Sequence, residues 1–122
     1  MKSDVAYIGA MCGGIHVVDL VDPCNPVLKV TIPPPSGDWT FDVYAVDHGT
    51  SLTWLYSAEY TSGYRIHTIQ KSSPTWTVTF KTLQDTPGAA NGILVIEQDP
   101  RYPIVVADRG GGVRIYDYVG DE

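Results

Sequence analysis

Short apolar runs alternate along this chain with clusters of Gly, Pro, Ser, Asp and Asn. Ile15, Val17, Val18 and Leu20 place apolar side chains on both faces of one extended segment, the pattern of a strand covered from two sides. No segment carries the 3.6-residue period of a helix. The runs also recur. Gly13–Leu20, Ser62–Ile69 and Gly111–Tyr118 superimpose without a gap, each copy starting 49 residues after the one before. Ala6–Gly9 aligns at the same offset with Leu55–Ala58 and Ile104–Ala107, Phe41–Val46 aligns with Ala90–Val95, and Val27–Thr31 aligns with Trp76–Phe80. Four strand types follow in fixed order: A (41–47, 91–97), B (5–10, 53–59, 103–108), C (14–20, 63–69, 112–118) and D (26–32, 75–82). Turn residues separate them at Asp22-Pro23-Cys24-Asn25-Pro26, Ser72-Ser73-Pro74, Asp85-Thr86-Pro87-Gly88 and Gly110-Gly111-Gly112.

A strand-only repeat of roughly 40 to 50 residues predicts β-propeller blades, four-stranded antiparallel sheets packed face to face. The fold class is therefore all-β, with strands in the order B-C-D, A-B-C-D, A-B-C. That makes one unit over 1–122: a partial blade (1–38), a full blade (39–87) and a second partial blade (88–122). Closed propellers hold roughly four to eight blades, so about two and a half leave an incomplete ring. Its open sheet faces and strand edges require a cover. Two covers are open: self-association, for which a dimer gives a ring in the usual size range, or the remaining blades of a longer propeller. Starting at strand B and stopping after strand C favours the second.

Composition narrows the partners. A net charge of −6 and a pI near 4.8 leave no basic stripe to neutralise phosphates, which excludes nucleic acid and anionic membrane surfaces. No apolar run approaches the ~18 residues of a membrane-spanning helix, and the opening Met-Lys-Ser-Asp precedes too short an apolar stretch for a secretory signal. Cys12 and Cys24 flank a whole strand, which at about 3.3 Å per residue separates them far beyond the ~7 Å limit for a disulfide, so two free thiols are expected.

Val5-Ala6-Tyr7-Ile8-Gly9, Gly13-Gly14-Ile15-His16-Val17-Val18-Asp19-Leu20 and Asp22-Pro23-Cys24-Asn25-Pro26-Val27 together resemble the LVIVD repeat of bacterial and archaeal β-propellers. That pattern runs through a strand, a Gly-containing turn, a strand ending in Asp and a Pro-rich turn. The third copy fits through Val105-Val106-Ala107-Asp108 and Gly112–Asp117. The second departs from it, with Thr68 in place of the Asp and Ser72-Ser73-Pro74-Thr75 at the turn. The resemblance implies a propeller that acts as a scaffold or interaction module in an extracellular or cell-surface protein.

Three groups of side chains are candidates for function. The first lines a propeller's central channel at strand A: Asp42, Asp47, His48, Asn91 and Glu97. Repeated oxygen and imidazole donors around an axis suit a divalent cation such as calcium, as in lactonase-type propellers. The alternative is that they make turn hydrogen bonds or stand in solvent. The second group is aromatic. Tyr7 and Tyr56 share a position, and Trp54 and Trp76 stand where the first copy has Val5 and Val27, which points to packing between sheets. Trp39, Tyr60 and Tyr102 fall near loops and are the better ligand contacts, as in a sugar-binding lectin. The third is the equivalent trio His16, Arg65 and Arg114, set to pair with Glu59 and Asp108. No Ser or Cys has a catalytic context, and Gly110-Gly111-Gly112 precedes a strand, so it is a hairpin turn and not a phosphate loop. The expected function is a non-catalytic scaffold for protein interaction or ligand binding, with no required cofactor. A metal-dependent lactonase-type hydrolase and a homo-oligomeric carbohydrate-binding lectin are the alternatives.

Overall fold

A computed structural model of the chain describes residues 5–35, 38–47, 52–71 and 76–117. The described residues form ten strands: β1 (Val5–Gly9), β2 (Ile15–Asp19), β3 (Val27–Ile32), β4 (Asp42–Asp47), β5 (Thr53–Ala58), β6 (Tyr64–Lys71), β7 (Trp76–Gln84), β8 (Ala89–Val95), β9 (Ile104–Arg109) and β10 (Gly112–Tyr116). They make three antiparallel meanders, β1-β2-β3, β4-β5-β6-β7 and β8-β9-β10. These are the predicted B-C-D, A-B-C-D and A-B-C sets, with strand ends within a few residues of those read from the sequence.

The middle sheet is buried on both faces. Trp54, Tyr56, Ala58, Tyr64 and Ile66 face the third sheet and pack with Ala90, Ile93, Val95, Ile104 and Val106. From the opposite face Leu55 and Ile69, backed by Val43 and Ala45, meet Val5, Ile15, Val17 and Ile32 of the first sheet. Alternation along a strand sends neighbours to opposite sides, so the apolar run Trp54-Leu55-Tyr56 of β5, with Ile66 and Ile69 of β6, requires two covers. The outer faces of the flanking sheets are apolar as well, and open. Ile8 and Leu28 are about half exposed on the first sheet; on the third, Val113 is 73% and Ile115 67% exposed.

Two glycines in left-handed conformation fix the turn from the second to the third strand type. Gly14 (φ 77°) and Gly63 (φ 95°) stand at equivalent positions, and a Cβ on either would run into a carbonyl oxygen at the end of the D strand, Ile32 O and Gln84 O respectively. Only glycine fits there, for both sterics and dihedral. Gly112 (φ 77°) is the third equivalent, and open space surrounds it because β10 is the edge of its sheet.

The ladder corrects the constant 49-residue offset in two places. Asp19 faces Val27 while its equivalent Thr68 faces Thr79, so β7 runs three residues out of step with β3, and Trp76 is not the counterpart of Val27. Both D strands carry a β-bulge opposite equivalent residues, Val17/Val18 and Ile66/His67, and the residue squeezed out is a lysine each time, Lys29 and Lys81. Lys29 lies 5.9 Å from the Trp76 ring centroid and Lys81 5.8 Å from that of Trp54, within cation–π range. The second correction falls in β8, where Ala90 faces Asp108 and Gly92 faces Ala107, leaving Asn91 as an unpaired bulge residue. Beyond that bulge the structural counterpart of Asp42 is Gly92, not Asn91.

Candidate functional site

The B–C turns and the D–A connections meet at one end of the stack. In the turns Ala10–Gly14 and Glu59–Gly63 the chain folds back through matched bonds, Ala10 N donating to Gly14 O (2.8 Å) and Glu59 N to Gly63 O (2.7 Å). Each turn forces its second residue into positive φ, Met11 at 52° and Tyr60 at 53°. That costs a non-glycine residue about 1 kcal/mol or more. Paired backbone bonds to the start of the next sheet or the connection leading into it hold both: Met11 exchanges two with Thr40, and Tyr60 two with Ala90. The turn thereby fixes where the Tyr60 ring goes.

That ring is part of an aromatic platform. Trp39 stacks on Tyr60 with centroids 5.9 Å apart and planes at 23°, and Phe41 packs against both, 5.9 Å from Trp39 and 5.0 Å from Tyr60. Trp39 remains 45% exposed. Beside it the buried Asp38 accepts hydrogen bonds from Thr61 Oγ1 (2.7 Å), Ser62 Oγ (2.5 Å) and the Trp39 amide (3.0 Å). Burial works to raise the Asp38 pKa, but the bonds from Ser62, Thr61 and the Trp39 amide outweigh it and hold the carboxyl below its ordinary value.

Beneath the platform lies a closed polar web. Glu59, fully buried, accepts from Thr40 Oγ1 (2.5 Å), Ser57 Oγ (2.6 Å) and Arg65 Nε (2.8 Å). Arg65 Nη2 and the neighbouring His67 Nδ1 are buried without a partner. Burial, then the Arg65 charge, lowers the His67 pKa to about 4, so the imidazole is neutral near neutral pH. The pairing of Arg65 with Glu59 matches the sequence expectation. Arg114 instead donates to Gly111 O (3.1 Å), and Asp108 accepts from Thr86 Oγ1 (2.7 Å) and Gly88 N (2.9 Å). Ser57 and Thr40 share a carboxylate, but solvent reaches none of the three, so no substrate could meet them.

The channel candidates do not converge. Asp42 spans from β4 to β8, its Oδ2 accepting from the Ile93 amide at 3.1 Å just past the Asn91 bulge. Asn91 is exposed on that bulge. Glu97 lies beyond the far end of β8, where it accepts the Tyr44 hydroxyl at 2.7 Å, a bond that together with burial raises the Tyr44 pKa. Four residues at about 3.3 Å each separate Ile93 from Glu97, some 13 Å along the strand. The side chain of Asp47 and all of His48 lie outside the described residues. Among the described residues no three His, Cys, Asp or Glu side chains gather as a metal site.

Trp39 and Tyr60 therefore come together as sequence reasoning grouped them, and Tyr102 does not join them. It lies on the A–B connection of the third sheet, at φ 51°, and packs on the core between the second and third sheets. Cys12 and Cys24 are free and exposed. Phe41, Asp38, Thr61 and Ser62 escaped the sequence reading, although Phe41 follows Trp39 by two residues, the spacing that places two side chains on one face of an extended segment. No family of known proteins, no curated protein and no solved structure matches the chain.

Proposed function

We propose that the chain is a non-catalytic β-propeller unit, its three meanders being adjacent blades, and that it serves as a scaffold for interaction and ligand binding. One observation carries this reading: a middle sheet whose strands β5 and β6 are buried on both faces, flanked by sheets whose outer faces leave apolar side chains exposed. More sheets of the same type continue such a stack, from further copies or from the remainder of a longer propeller. The resemblance to LVIVD repeats agrees with it, as do the recurring turn, glycine and bulge positions. Electron microscopy of the assembled protein tests the architecture. The expected image is a ring of blades around a channel, and a rod or a flat layered particle would refute it.

The aromatic platform favours a second reading, in which the scaffold presents a carbohydrate site. Trp39, 45% exposed and stacked on Tyr60, follows Asp38, to which Thr61 and Ser62 are hydrogen-bonded, so the same turn and connection carry both the aromatic surface and the hydrogen-bonding groups that a sugar ring takes up. Quenching of tryptophan fluorescence across a panel of saccharides tests it, with loss of the signal in Trp39→Ala as the supporting result. The hydrolase alternative has less behind it, since Asp42 and Glu97 stand apart and each already holds a structural hydrogen bond.

A further inference from the structure

We infer that copies of this chain associate head to tail, the outer face of β8-β9-β10 on one copy packing against the outer face of β1-β2-β3 on the next; this rests on the propeller reading above. The repeat supplies the argument. Both internal interfaces join the same two kinds of face. A forward face, carried by Val5 on β1 and by Trp54 and Tyr56 on β5, packs against the following sheet. A backward face, carried by Leu55 on β5 and by Ile104 and Val106 on β9, packs against the preceding one.

Carried on by 49 residues, the forward positions of β9 are Val105 and Ala107, joined on that side by Leu94 of β8 and by Val113 and Ile115 of β10. Carried back, the backward positions of β1 are Ala6 and Ile8, beside Val18 and Leu28. The chain therefore leaves open one face of each kind, and they are the two kinds that fit each other elsewhere in the molecule. Relief agrees with type. The B strands carry a small residue at one equivalent position, Gly9, Ala58 and Ala107. At Gly9 a Cβ would stand only 3.3 Å from backbone atoms of Phe41 and Asp42, so a small residue there admits the next sheet. Ala107 and Gly92 line a trough of about 230 Å³ bounded by Leu94, Val105 and Val113, with Asp42 of the second sheet at its end, while Ile8 and Leu28 project from the opposite open face, 47% and 55% exposed. Pairing two third sheets face to face would instead join forward to forward, which occurs nowhere in the chain. A heterologous contact closes into a ring when its rotation allows, and two copies of three sheets each fall within the four to eight blades of known propellers.

The test is absolute mass by light scattering on a sizing column, for the full chain and two face variants. Val113→Glu with Ile115→Glu blocks the forward face, and Ile8→Glu with Leu28→Glu blocks the backward one. All four positions are exposed in the single chain, and matching far-UV circular dichroism confirms that the folds are kept. The wild type is expected at a fixed multiple of 13.3 kDa, each variant at the monomer mass, and an equimolar mixture of the two at a discrete heterodimer, because one good face of each kind remains. A wild-type monomer overturns the inference and leaves the completion of the propeller to another chain or to the remainder of a longer one. An assembled wild type with either variant keeping its mass, or with no heterodimer in the mixture, overturns the head-to-tail geometry and leaves the propeller reading standing.

Discussion

Replacing Glu59 with leucine removes the carboxylate on which three buried donors converge. Arg65, whose side chain is 10% exposed, keeps its charge and loses the partner held at 2.8 Å, while its Nη2 already lacks one. Removing one member of a buried ion pair costs about 3–5 kcal/mol. The Thr40 and Ser57 hydroxyls lose their acceptor as well, about 1 kcal/mol each, although such losses within one network do not simply add. A total near 4 kcal/mol is a large share of the roughly 6–18 kcal/mol available at about 0.05–0.15 kcal/mol per residue to a chain of 122. With a urea m-value of about 2 kcal/mol/M, the midpoint falls by about 2 M. Urea unfolding followed by circular dichroism measures it, at one fixed protein concentration because association adds apparent stability. The companion variant Glu59→Leu with Arg65→Met leaves no orphaned charge and is expected within about 1–2 kcal/mol of wild type. A single variant losing less than about 1 kcal/mol, or a double variant no better than the single, would refute the account of a closed, dry ion-pair web.

Other outcomes follow from the same geometry. His67 has a folded-state pKa of about 4 against 6.5 when free, so the unfolded chain takes up the proton first; stability is complete above pH 6.5, falls by a few kcal/mol at most as pH drops towards 4, and levels off below. His67→Leu should flatten that part of a pH series of urea midpoints, and an unchanged slope would sink the assignment. Gly63→Ala, which drives a Cβ into the Gln84 carbonyl, should destabilise by more than about 2 kcal/mol, whereas Gly112→Ala, with left-handed φ but open space, should lose about 1 kcal/mol; equal losses would mean that the dihedral alone matters. Calorimetric titration with calcium should give no saturable heat. Asn91→Ala with Glu97→Ala should leave the thermal midpoint within about 2 °C, and a calcium affinity lost in that pair would overturn the scaffold reading.

Strand order was readable because each copy writes it twice, once in apolar runs and again in the Gly, Pro and Asp residues between them. Burial of the middle sheet from both sides was readable too, since Trp54-Leu55-Tyr56 leaves no solvent face. Register was harder to see. A constant offset equates Asp42 with Asn91 and Val27 with Trp76, whereas the ladder equates Asp42 with Gly92 and Val27 with Thr79. Bulges and strand lengthening shift pairing without disturbing composition, so an ungapped alignment passes over them. The site was half legible. Trp39 and Tyr60 stood out as aromatics near turns, and the Glu59–Arg65 pair by its repeat position. Phe41 looked like a strand residue, and Asp38, Thr61 and Ser62 looked like ordinary loop polarity, because their convergence depends on a turn in one sheet meeting a connection leading out of another.

The unpaired Asn91 bears on how such a chain can change over time. An extra residue inserted into a strand ordinarily turns every later side chain to the opposite face. Here the insertion is absorbed locally, and Ile93 and Val95 still point into the core between the second and third sheets. Duplicated copies can therefore drift in length without losing their inside and outside, provided each gain falls at a bulge or in a connection. Tolerance of a one-residue gain at a bulge lets neighbouring sheets keep the same inside while presenting distinct surfaces, one carrying Trp39 and Tyr60 where its neighbours carry other side chains.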